Sequence, residues 1–300
     1  MVSLDDFDLV SIIFGDSEST LELIFAASAL IGGVLFLFWF LLMLIGGVGE
    51  GLFEGLFGIE FDVRELDGVS EQLVDRNNLT DVEFSLFYMQ VTRGAAPRTH
   101  AFPTKRVSPT VYAFAKKLAR ATPNRWAEGY AAITVPDQRW GRANIKSTGL
   151  LPNVLAQQSA VVANVEDAIF IRDGMVMEGT HNNVFAVLDG VITTSPATNH
   201  ILHGVTRDFV IELAKESDLP VKERSFTVNE LYAASEIFFT GTTTEVRPTV
   251  EIDGRTVGDG TPGPVTQLLS EAYTKRVANL SLIHISEPTR RTPISYAVFC

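Results

Sequence analysis

One stretch constrains the fold of this chain more than any other, because a strand pattern changes into a helix pattern at a single lysine. Residues 131–145 read as a strand and residues 151–163 read as a helix, with Lys146 between them. A lysine at a strand end, beside an apolar wall, can lose part of its hydration and attack a carbonyl group as a neutral amine. On its own, Lys146 is better interpreted as a solvated surface charge, because lysines are almost always exposed.

After the lysine, strand, turn and helix signals alternate regularly. Two Asp-Gly pairs, at residues 173–174 and 189–190, predict tight hairpin turns. Strands are predicted at residues 167–171, 175–178, 183–188, 191–194 and 236–240, and helices at residues 204–217 and 264–277. Strands and helices in this mixed order imply an α+β domain.

The part of the chain before the lysine gives weaker signals. Residues 65–77 have weak helical periodicity, and residues 83–92 predict a strand. Residues 111–121 fit a short strand or a short helix, and the pattern does not choose between them. Pro123 and Asn124 mark an expected boundary between a small domain and a larger one.

Residues 23–49 contain no charged side chain, and residues 30–45 are apolar throughout. A bilayer is spanned by about 20 such residues, so this run predicts a transmembrane helix. The alternative is a buried core helix, although a helix in a globular protein usually carries a polar stripe. The flanks are acidic and the first basic residue is Arg64, so the positive-inside rule gives no orientation.

Charge and cysteine content exclude several classes of function. Most of the net charge of −12 comes from residues 1–63, which have no lysine or arginine, and no basic stripe occurs elsewhere. Nucleic-acid binding therefore has no electrostatic support. The single cysteine, Cys300, excludes an internal disulfide and fits a reducing compartment, and no metal-ligand spacing is present. We expect the part of the chain after residue 63 to be cytoplasmic, or membrane-bound if the N-terminal segment is native.

Several short motifs accompany Lys146 at characteristic positions. They are Gln157-Gln158, Met177-Glu178-Gly179 and Asn183-Val184-Phe185. Together with the lysine they resemble the class IV, or fold-type IV, pyridoxal-phosphate enzymes. That group includes branched-chain aminotransferases, D-amino-acid aminotransferases and aminodeoxychorismate lyases. The D-amino-acid branch is the most similar, on the strength of residues 90–100 and of Gly204-Val205-Thr206-Arg207-Asp208.

The resemblance covers residues 65–278 and implies a domain plan. A remnant of the small α/β domain would occupy residues 64–122, and a complete, larger pyridoxal-phosphate-binding domain would occupy residues 123–280. Residues 1–63 would be an acidic, transmembrane-like segment. Residues 281–300, which have no periodicity and two prolines, are expected to be a non-native tail.

One family feature is missing from this chain. The early helix of the family carries a His-x-x-Arg-Leu stretch whose arginine holds the cofactor phosphate, yet no histidine precedes His100 here. Either the chain is a native fusion, or residues 1–63 are a foreign piece joined to a truncated enzyme. We expect the second, because removal of half a cofactor site with retention of the rest is unusual.

The resemblance also implies the site. Lys146 would be the catalytic amine that binds pyridoxal 5′-phosphate covalently, and Glu178 would pair with the ring nitrogen. Leu202 would pack on the ring. The phosphate would be held at a helix start and a small-residue loop, by Val205, Thr206, Gly241 and Thr242. Arg98 and His100 would receive the substrate carboxylate, since an arginine fork offers two parallel donors.

The implied function is a transaminase that moves an amino group between a D-amino acid, such as D-alanine, and a 2-oxo acid. The alternatives within the fold are an L-branched-chain aminotransferase and an aminodeoxychorismate lyase. An alternative of another class is an inactive chimeric protein anchored to a membrane. By the resemblance, the enzyme would be a homodimer with its active site near the interface.

Overall fold

The structure, a computed structural model, describes residues 65–82 and 84–286, with side chains described from residue 68 to residue 278. It divides into two compact units, of which the smaller includes residues 93–110 and the main one includes residues 65–92 and 111–286. The segment predicted to cross a membrane, residues 23–49, lies outside the described residues. Within the described ranges, none of the helices combines the length and the apolar character that a membrane crossing requires.

The described chain alternates helices and strands, as the sequence predicted. The helices are α1 (Glu65–Arg76), α2 (Pro123–Glu128), α3 (Leu151–Val162), α4 (Val205–Glu216), α5 (Val228–Tyr232) and α6 (Pro264–Ser286). The strands are β1 (Ser85–Thr92), β2 (Thr110–Lys117), β3 (Tyr130–Pro136), β4 (Asp167–Arg172), β5 (Met175–Gly179), β6 (Asn183–Leu188), β7 (Val191–Thr194), β8 (Val221–Glu223), β9 (Glu236–Gly241), β10 (Glu245–Ile252) and β11 (Arg255–Thr256). The segment that the pattern left open, residues 111–121, is therefore mainly a strand.

Strands β1 and β2 form a two-stranded sheet, and the other nine strands form one large mixed sheet. In the large sheet the order is β5-β4-β3-β10-β9-β6-β7-β8, and β11 pairs with β10. Strand β3 is parallel to both β4 and β10, whereas β6 is antiparallel to β7 and β9. This arrangement places β3, β5 and β9 in the same sheet, and the ends of these strands carry the loops of the candidate site.

The hairpin turns follow from the Asp-Gly pairs. Asp173, Gly174, Asp189 and Gly190 all have positive φ angles, between 50° and 76°. A type I′ turn needs positive φ at both central residues, and its twist matches that of the flanking strands. The turns between β4 and β5 and between β6 and β7 are thus set by local sequence, and both predictions are confirmed.

The core lies on both faces of the large sheet. On one face, Phe185 of β6 and Phe238 of β9 stack with ring centroids 5.0 Å apart and pack under α4 and α6. On the other face, Val184 and Phe239 pack with residues of β5 and α5. A third cluster under α3 includes Ala160 and Phe170, both buried. The alternation along β6 and β9 produces this two-sided core.

Two boundaries differ from the sequence prediction. Strand β3 ends at Pro136 and not at residue 145, so the predicted strand over residues 131–145 is wrong in its second half. The side chain of Asp137 accepts a hydrogen bond from the backbone N–H of Arg139 at 3.0 Å, which turns the chain out of the sheet. Helix α6 continues to Ser286, beyond residue 277 and into the tail, whose remainder lies outside the described residues.

Candidate active site

The carboxylate of Glu178, near the end of β5, is the centre of the site. The residue is only 5% exposed. The backbone N–H of Leu202 donates to both carboxylate oxygens, at 3.1 and 3.0 Å, and Asn183 Nδ2 donates to Oε2 at 3.0 Å. Arg139 Nη1 donates to Oε1 in a short ion pair. Donors from three separate parts of the chain therefore meet at this acid.

The protonation of Glu178 is a balance between burial and these donors. Burial raises the pKa of the carboxyl because the charged form loses its hydration. The charge and hydrogen bond of Arg139, and the N–H of Leu202, oppose this effect, whereas the negative charge of Asp137 adds to it. Burial is the largest contribution, and the pKa of Glu178 is raised from 4.5 to about 7.

Arg139 lies in the loop that follows β3 and is itself held by a second acid. Its Nε and Nη2 donate to the two oxygens of Asp137 at 2.9 and 3.0 Å, and Nη2 also donates to the backbone carbonyl of His200 at 3.1 Å. Arg172 of β4 pairs with the same Asp137 at 3.0 Å. The guanidinium of Arg139 lies over the ring of Phe170, 4.3 Å from its centroid, where a cation is attracted to the aromatic face.

The protonated form of Arg139 is strongly favoured. Burial alone would lower its pKa, but the hydrogen bonds and charges of Asp137 and Glu178 outweigh burial and raise it. Arg139 is therefore a permanent cation between two buried acids. The roles of Asp137 and Arg139 were missed by the sequence analysis, which placed both inside a continuous strand.

Asn183, the first residue of β6, connects Glu178 to the predicted phosphate cradle. Its Nδ2 donates to Glu178 and also to the backbone carbonyl of Leu202, at 3.0 Å in each case. Its Oδ1 lies so close to Gly204 that a β-carbon at that position would collide with it. Glycine at 204 thus lets the chain entering α4 pass against the Asn183 amide.

The start of α4 has the character of an anion site. Gly204 is its N-cap and provides no side-chain cap for the first turn. Val205 is exposed, whereas Thr206 is buried at 9% exposure. The first N–H groups of a twelve-residue helix have no partner within the helix, and the helix dipole favours a negative group beside them.

Gly241 and Thr242 stand at the end of β9, beside residues 182–183. A β-carbon at Gly241 would lie 3.4 Å from the β-carbon of Asn182, so the chain passes close to this turn. Thr240, just before it, pairs with Asn183 in the β6–β9 register. Residues 182 and 183 thus bring together Glu178, Leu202, the start of α4 and Gly241. Thr242 is exposed.

A second buried acid, Asp167, holds the turn between β5 and β6. Asp167 of β4 accepts hydrogen bonds from Thr180 Oγ1 at 2.7 Å, from Asn182 Nδ2 at 2.6 Å and from Arg247 Nη2 at 2.6 Å. Burial alone would raise the pKa of Asp167, but Arg247 and the hydrogen bonds lower it below its usual value. Two buried acids therefore hold residues 178–183. Glu178 binds Asn183, and Asp167 binds Thr180 and Asn182.

Lys146 lies near the end of the loop from residue 137 to residue 150 and is exposed. The loop is tied to residue 199 by two hydrogen bonds, from the Asn144 N–H to the Asn199 carbonyl at 3.3 Å and from Asn199 Nδ2 to the Gly141 carbonyl at 2.6 Å. The sequence analysis weighed two interpretations of this lysine, an amine that had lost hydration beside an apolar wall and a solvated surface charge. In the structure the loop leaves the sheet before Lys146, so the amine is accessible to water.

Arg98 and His100 belong to the smaller unit and lie in an exposed loop. Within that unit, Arg93 stacks over the ring of Phe102 at 4.1 Å. The use of Arg98 and His100 as substrate-carboxylate ligands stays a prediction.

Comparisons with known proteins show which proteins the chain resembles. A family model described as amino-transferase class IV matches residues 52–252, so the match begins within the segment that the sequence analysis placed outside its resemblance. The D-alanine aminotransferase of Staphylococcus haemolyticus is 43% identical over 221 residues, which are 74% of this chain and 77% of that protein. The D-alanine aminotransferase of Bacillus licheniformis is 42% identical over 219 residues, 73% of this chain and 76% of that protein.

Solved structures of branched-chain aminotransferases share the fold. The branched-chain amino acid aminotransferase of Escherichia coli has a TM-score of 0.63 at 26% identity, and the match covers 74% of this chain and 75% of that one. The branched-chain aminotransferase of Thermoproteus uzoniensis with norvaline has a TM-score of 0.63 at 28% identity over 78% of each chain.

The raised pKa of Glu178 gives a pH-dependent contribution to stability. A carboxyl that binds its proton more tightly in the folded chain stabilises the fold below pH 4.5, and this stabilisation is lost as the pH rises through about 7. The loss over this interval is about 3 kcal/mol, at about 1.4 kcal/mol per pH unit. We expect the free energy of unfolding of the wild type, measured with urea, to fall by this amount relative to Glu178→Gln between pH 4.5 and 7.5.

The control is Glu251→Gln, which removes an exposed carboxyl from β10 of the same sheet. Its difference from the wild type should stay nearly constant over the same pH range. Equal pH profiles for the wild type and Glu178→Gln would contradict the raised pKa.

Proposed function

The chain belongs to the class IV aminotransferases, and we propose that within this family it transfers an amino group between a D-amino acid, such as D-alanine, and a 2-oxo acid. It is thus a pyridoxal-phosphate-dependent enzyme with the fold-type IV fold. The observation that carries the D-amino-acid assignment is the 43% identity to a D-alanine aminotransferase over 74% of the chain. The branched-chain enzymes among the structural relatives have lower identity, 26% to 31%.

The residues of the main unit fit this cofactor. A pyridinium nitrogen needs a buried acid that can carry a negative charge, and Glu178 is such an acid. A phosphate needs unpaired N–H groups and close backbone approach, and the uncapped start of α4 and the glycine at 241 provide both. The donor set therefore suits an aromatic ring with a protonated nitrogen at one end and an anion at the other.

Each predicted residue receives a role in this proposal. Lys146 offers the amine that would hold the cofactor covalently, and its exposed position leaves it free to meet an aldehyde. Glu178 would face the ring nitrogen, and Leu202, whose own N–H fixes Glu178, would pack on the ring. Val205, Thr206, Gly241 and Thr242 would surround the phosphate.

Pyridoxal phosphate, when bound, supplies a carbonyl that exchanges amino groups and a ring that accepts electrons. The amine of Lys146 would then move a proton at the α-carbon of the substrate. Glu178, as an anion, would keep a proton on the ring nitrogen. Arg98 and His100 would orient the substrate by its carboxylate, for which an arginine fork is well shaped. The side of the α-carbon that faces Lys146 would decide between D- and L-substrates.

Loss of the amine at 146 should abolish covalent cofactor binding. We expect purified wild-type chain to acquire a visible absorbance band when pyridoxal phosphate is added, and Lys146→Ala to lack that band. Lys222→Ala removes an exposed lysine from β8 and should leave the band intact. A band of wild-type intensity in Lys146→Ala would refute the role of this lysine. Absence of the band from the wild type would favour the alternative of an inactive chimeric protein.

Substrate profiling tests the D-amino-acid assignment. We expect amino transfer to 2-oxoglutarate from D-amino acids such as D-alanine and not from L-leucine. Arg98→Met should raise KM for the D-amino acid by about 30-fold or more, because a lost charged hydrogen bond costs about 2 kcal/mol or more. Arg98→Lys keeps the charge without the fork, and its KM should lie between those of the wild type and Arg98→Met. Activity on L-leucine alone would contradict the assignment.

We further propose that the enzyme is a homodimer and that α3 lies at the interface. One face of this helix exposes Leu151, Val154, Leu155, Val161 and Val162, each more than half exposed. The opposite face packs Ala156 and Ala160 against the sheet. A contiguous apolar helix face of this kind marks a contact surface, and a second copy is the occupant that the family resemblance favours.

Charge on this face should dissociate the dimer. We expect Leu155→Asp to shift the sedimentation coefficient from that of a dimer to that of a monomer at micromolar concentration. Leu268→Asp introduces the same change at a partly exposed leucine of α6 and should remain dimeric. A monomeric wild type, or a dimer unaffected by Leu155→Asp, would contradict the proposed interface.

A further inference from the structure

Glu178 is enclosed mainly by neutral donors, and one cation stands among them. Leu202 and Asn183 donate uncharged N–H groups to it. Among the residues that the structure describes, the charged groups facing its carboxylate are Arg139, in direct contact, and Asp137, which lies behind the arginine. Neutral donors support a buried anion only partly, because removing a carboxylate from water costs several kcal/mol. The charge state of Glu178 therefore depends on Arg139.

Asp137 fixes the orientation of the Arg139 side chain. It accepts from the backbone N–H of Arg139 at 3.0 Å and from two different side-chain nitrogens, at 2.9 and 3.0 Å. Its side chain has no exposed surface, and that of Arg139 is 6% exposed. With Nε and Nη2 committed to Asp137, the planar guanidinium presents Nη1 to Glu178 in a fixed direction. A flexible ammonium group could not be held in this way.

We propose that Asp137 and Arg139 form a positioning pair that keeps the carboxylate of Glu178 anionic and oriented toward the cofactor ring nitrogen. This inference rests on the proposed role of Glu178 in the cofactor site. Arg139 acts through Glu178 and not through the substrate. The pair also reaches the ring-packing side of the site, since Arg139 Nη2 donates to the His200 carbonyl two residues before Leu202.

The positive charge of Arg139 and the planar shape of its guanidinium have separate effects on Glu178. Removal of the positive charge leaves only the neutral donors of Leu202 and Asn183 to oppose burial and the charge of Asp137, which both favour the protonated form of Glu178. The carboxyl should then titrate at higher pH, outside the range in which it can pair as an anion with a protonated ring nitrogen. Retention of the charge without the fork should preserve part of the effect, because a lysine cannot bond Asp137 and Glu178 in the same geometry.

The experiment titrates Glu178 directly in the full-length chain without cofactor. Carbon-13 NMR of chain labelled at the glutamate carboxyls gives the titration midpoint, and the signal that disappears in Glu178→Gln is its own. We expect Arg139→Met to raise the midpoint by about one to three pH units, the range for loss of an adjacent opposite charge. Arg139→Lys should give a smaller rise. Pyridoxal-phosphate affinity at neutral pH should fall by about tenfold for each pH unit by which the midpoint rises, and therefore more in Arg139→Met than in Arg139→Lys.

The matched control is Arg247→Met, which removes an arginine from the other buried carboxylate, Asp167, in the same sheet. It should leave the Glu178 midpoint unchanged. The inference is overturned if Arg139→Met titrates as the wild type does, or if Arg247→Met moves the midpoint as far. If Arg139→Met does not fold, Arg139→Gln replaces it, and equal midpoints for Arg139→Gln and Arg139→Lys would also overturn the inference.

Failure of the positioning pair can be distinguished from failure of the proposed function. A wild-type chain that binds no pyridoxal phosphate would refute the proposed function whatever the titrations show. Normal cofactor binding by the wild type, together with an unmoved Glu178 midpoint in Arg139→Met, would refute the positioning pair alone.

Discussion

The burial of one carboxylate, that of Glu178, is the constraint on which the candidate site depends. A buried anion must be matched by donors or it takes up a proton, so the chain around it has to deliver N–H groups to fixed positions. Leu202, Asn183 and Arg139 deliver them from three parts of the sequence. These contacts in turn fix the loop that leads into α4 and the loop that follows β3. The geometry of the whole site is thus a consequence of satisfying this acid.

Two buried acids of the main unit, Asp167 and Glu178, have opposite protonation behaviour, although their surroundings look similar. Each contacts one arginine and one asparagine amide. Asp167 also receives hydrogen bonds from Thr180 and from the N–H of the next residue, and its pKa is lowered. For Glu178, burial is the largest contribution and the negative charge of Asp137 adds to it, so its pKa is raised. Asp167 is therefore an anchor for the turn at residues 180–182, whereas Glu178 remains close to a change of charge at neutral pH.

Local chemistry in the sequence was enough to predict the hairpins, the α4 helix and most strands of the large sheet. Asp-Gly pairs need no tertiary partner to form a turn. Strands β6 and β9 are apolar runs because successive side chains pack on opposite, buried faces of the sheet. The end of β3 was predicted wrongly because the strand was extended past Pro136 and Asp137, although Asp137 turns the chain by accepting a hydrogen bond from the backbone N–H of Arg139. The burial of Asp137 and Arg139 depends on Glu178 and Arg172, which are distant in sequence, so no local pattern could reveal it. The exposure of Lys146 follows from the same boundary, since the loop that carries it begins where β3 ends.

The cost of burying charge bears on why these groups are present. Four ionisable side chains, of Asp137, Arg139, Arg172 and Glu178, meet in the interior with little exposure. Replacing such networks by apolar residues of similar volume is often neutral or stabilising by about 1 to 4 kcal/mol, so stability alone does not favour them. The two acids also differ, because the pKa of Asp167 is lowered whereas that of Glu178 is raised to about 7. A buried acid held by an arginine, beside an uncapped helix start, fits the proposed pairing of an anionic Glu178 with a protonated ring nitrogen and of the helix start with a phosphate. Under the proposed function only the amine of Lys146 would move during transfer, which fits the contrast between the enclosed acid on β5 and the exposed lysine on its loop.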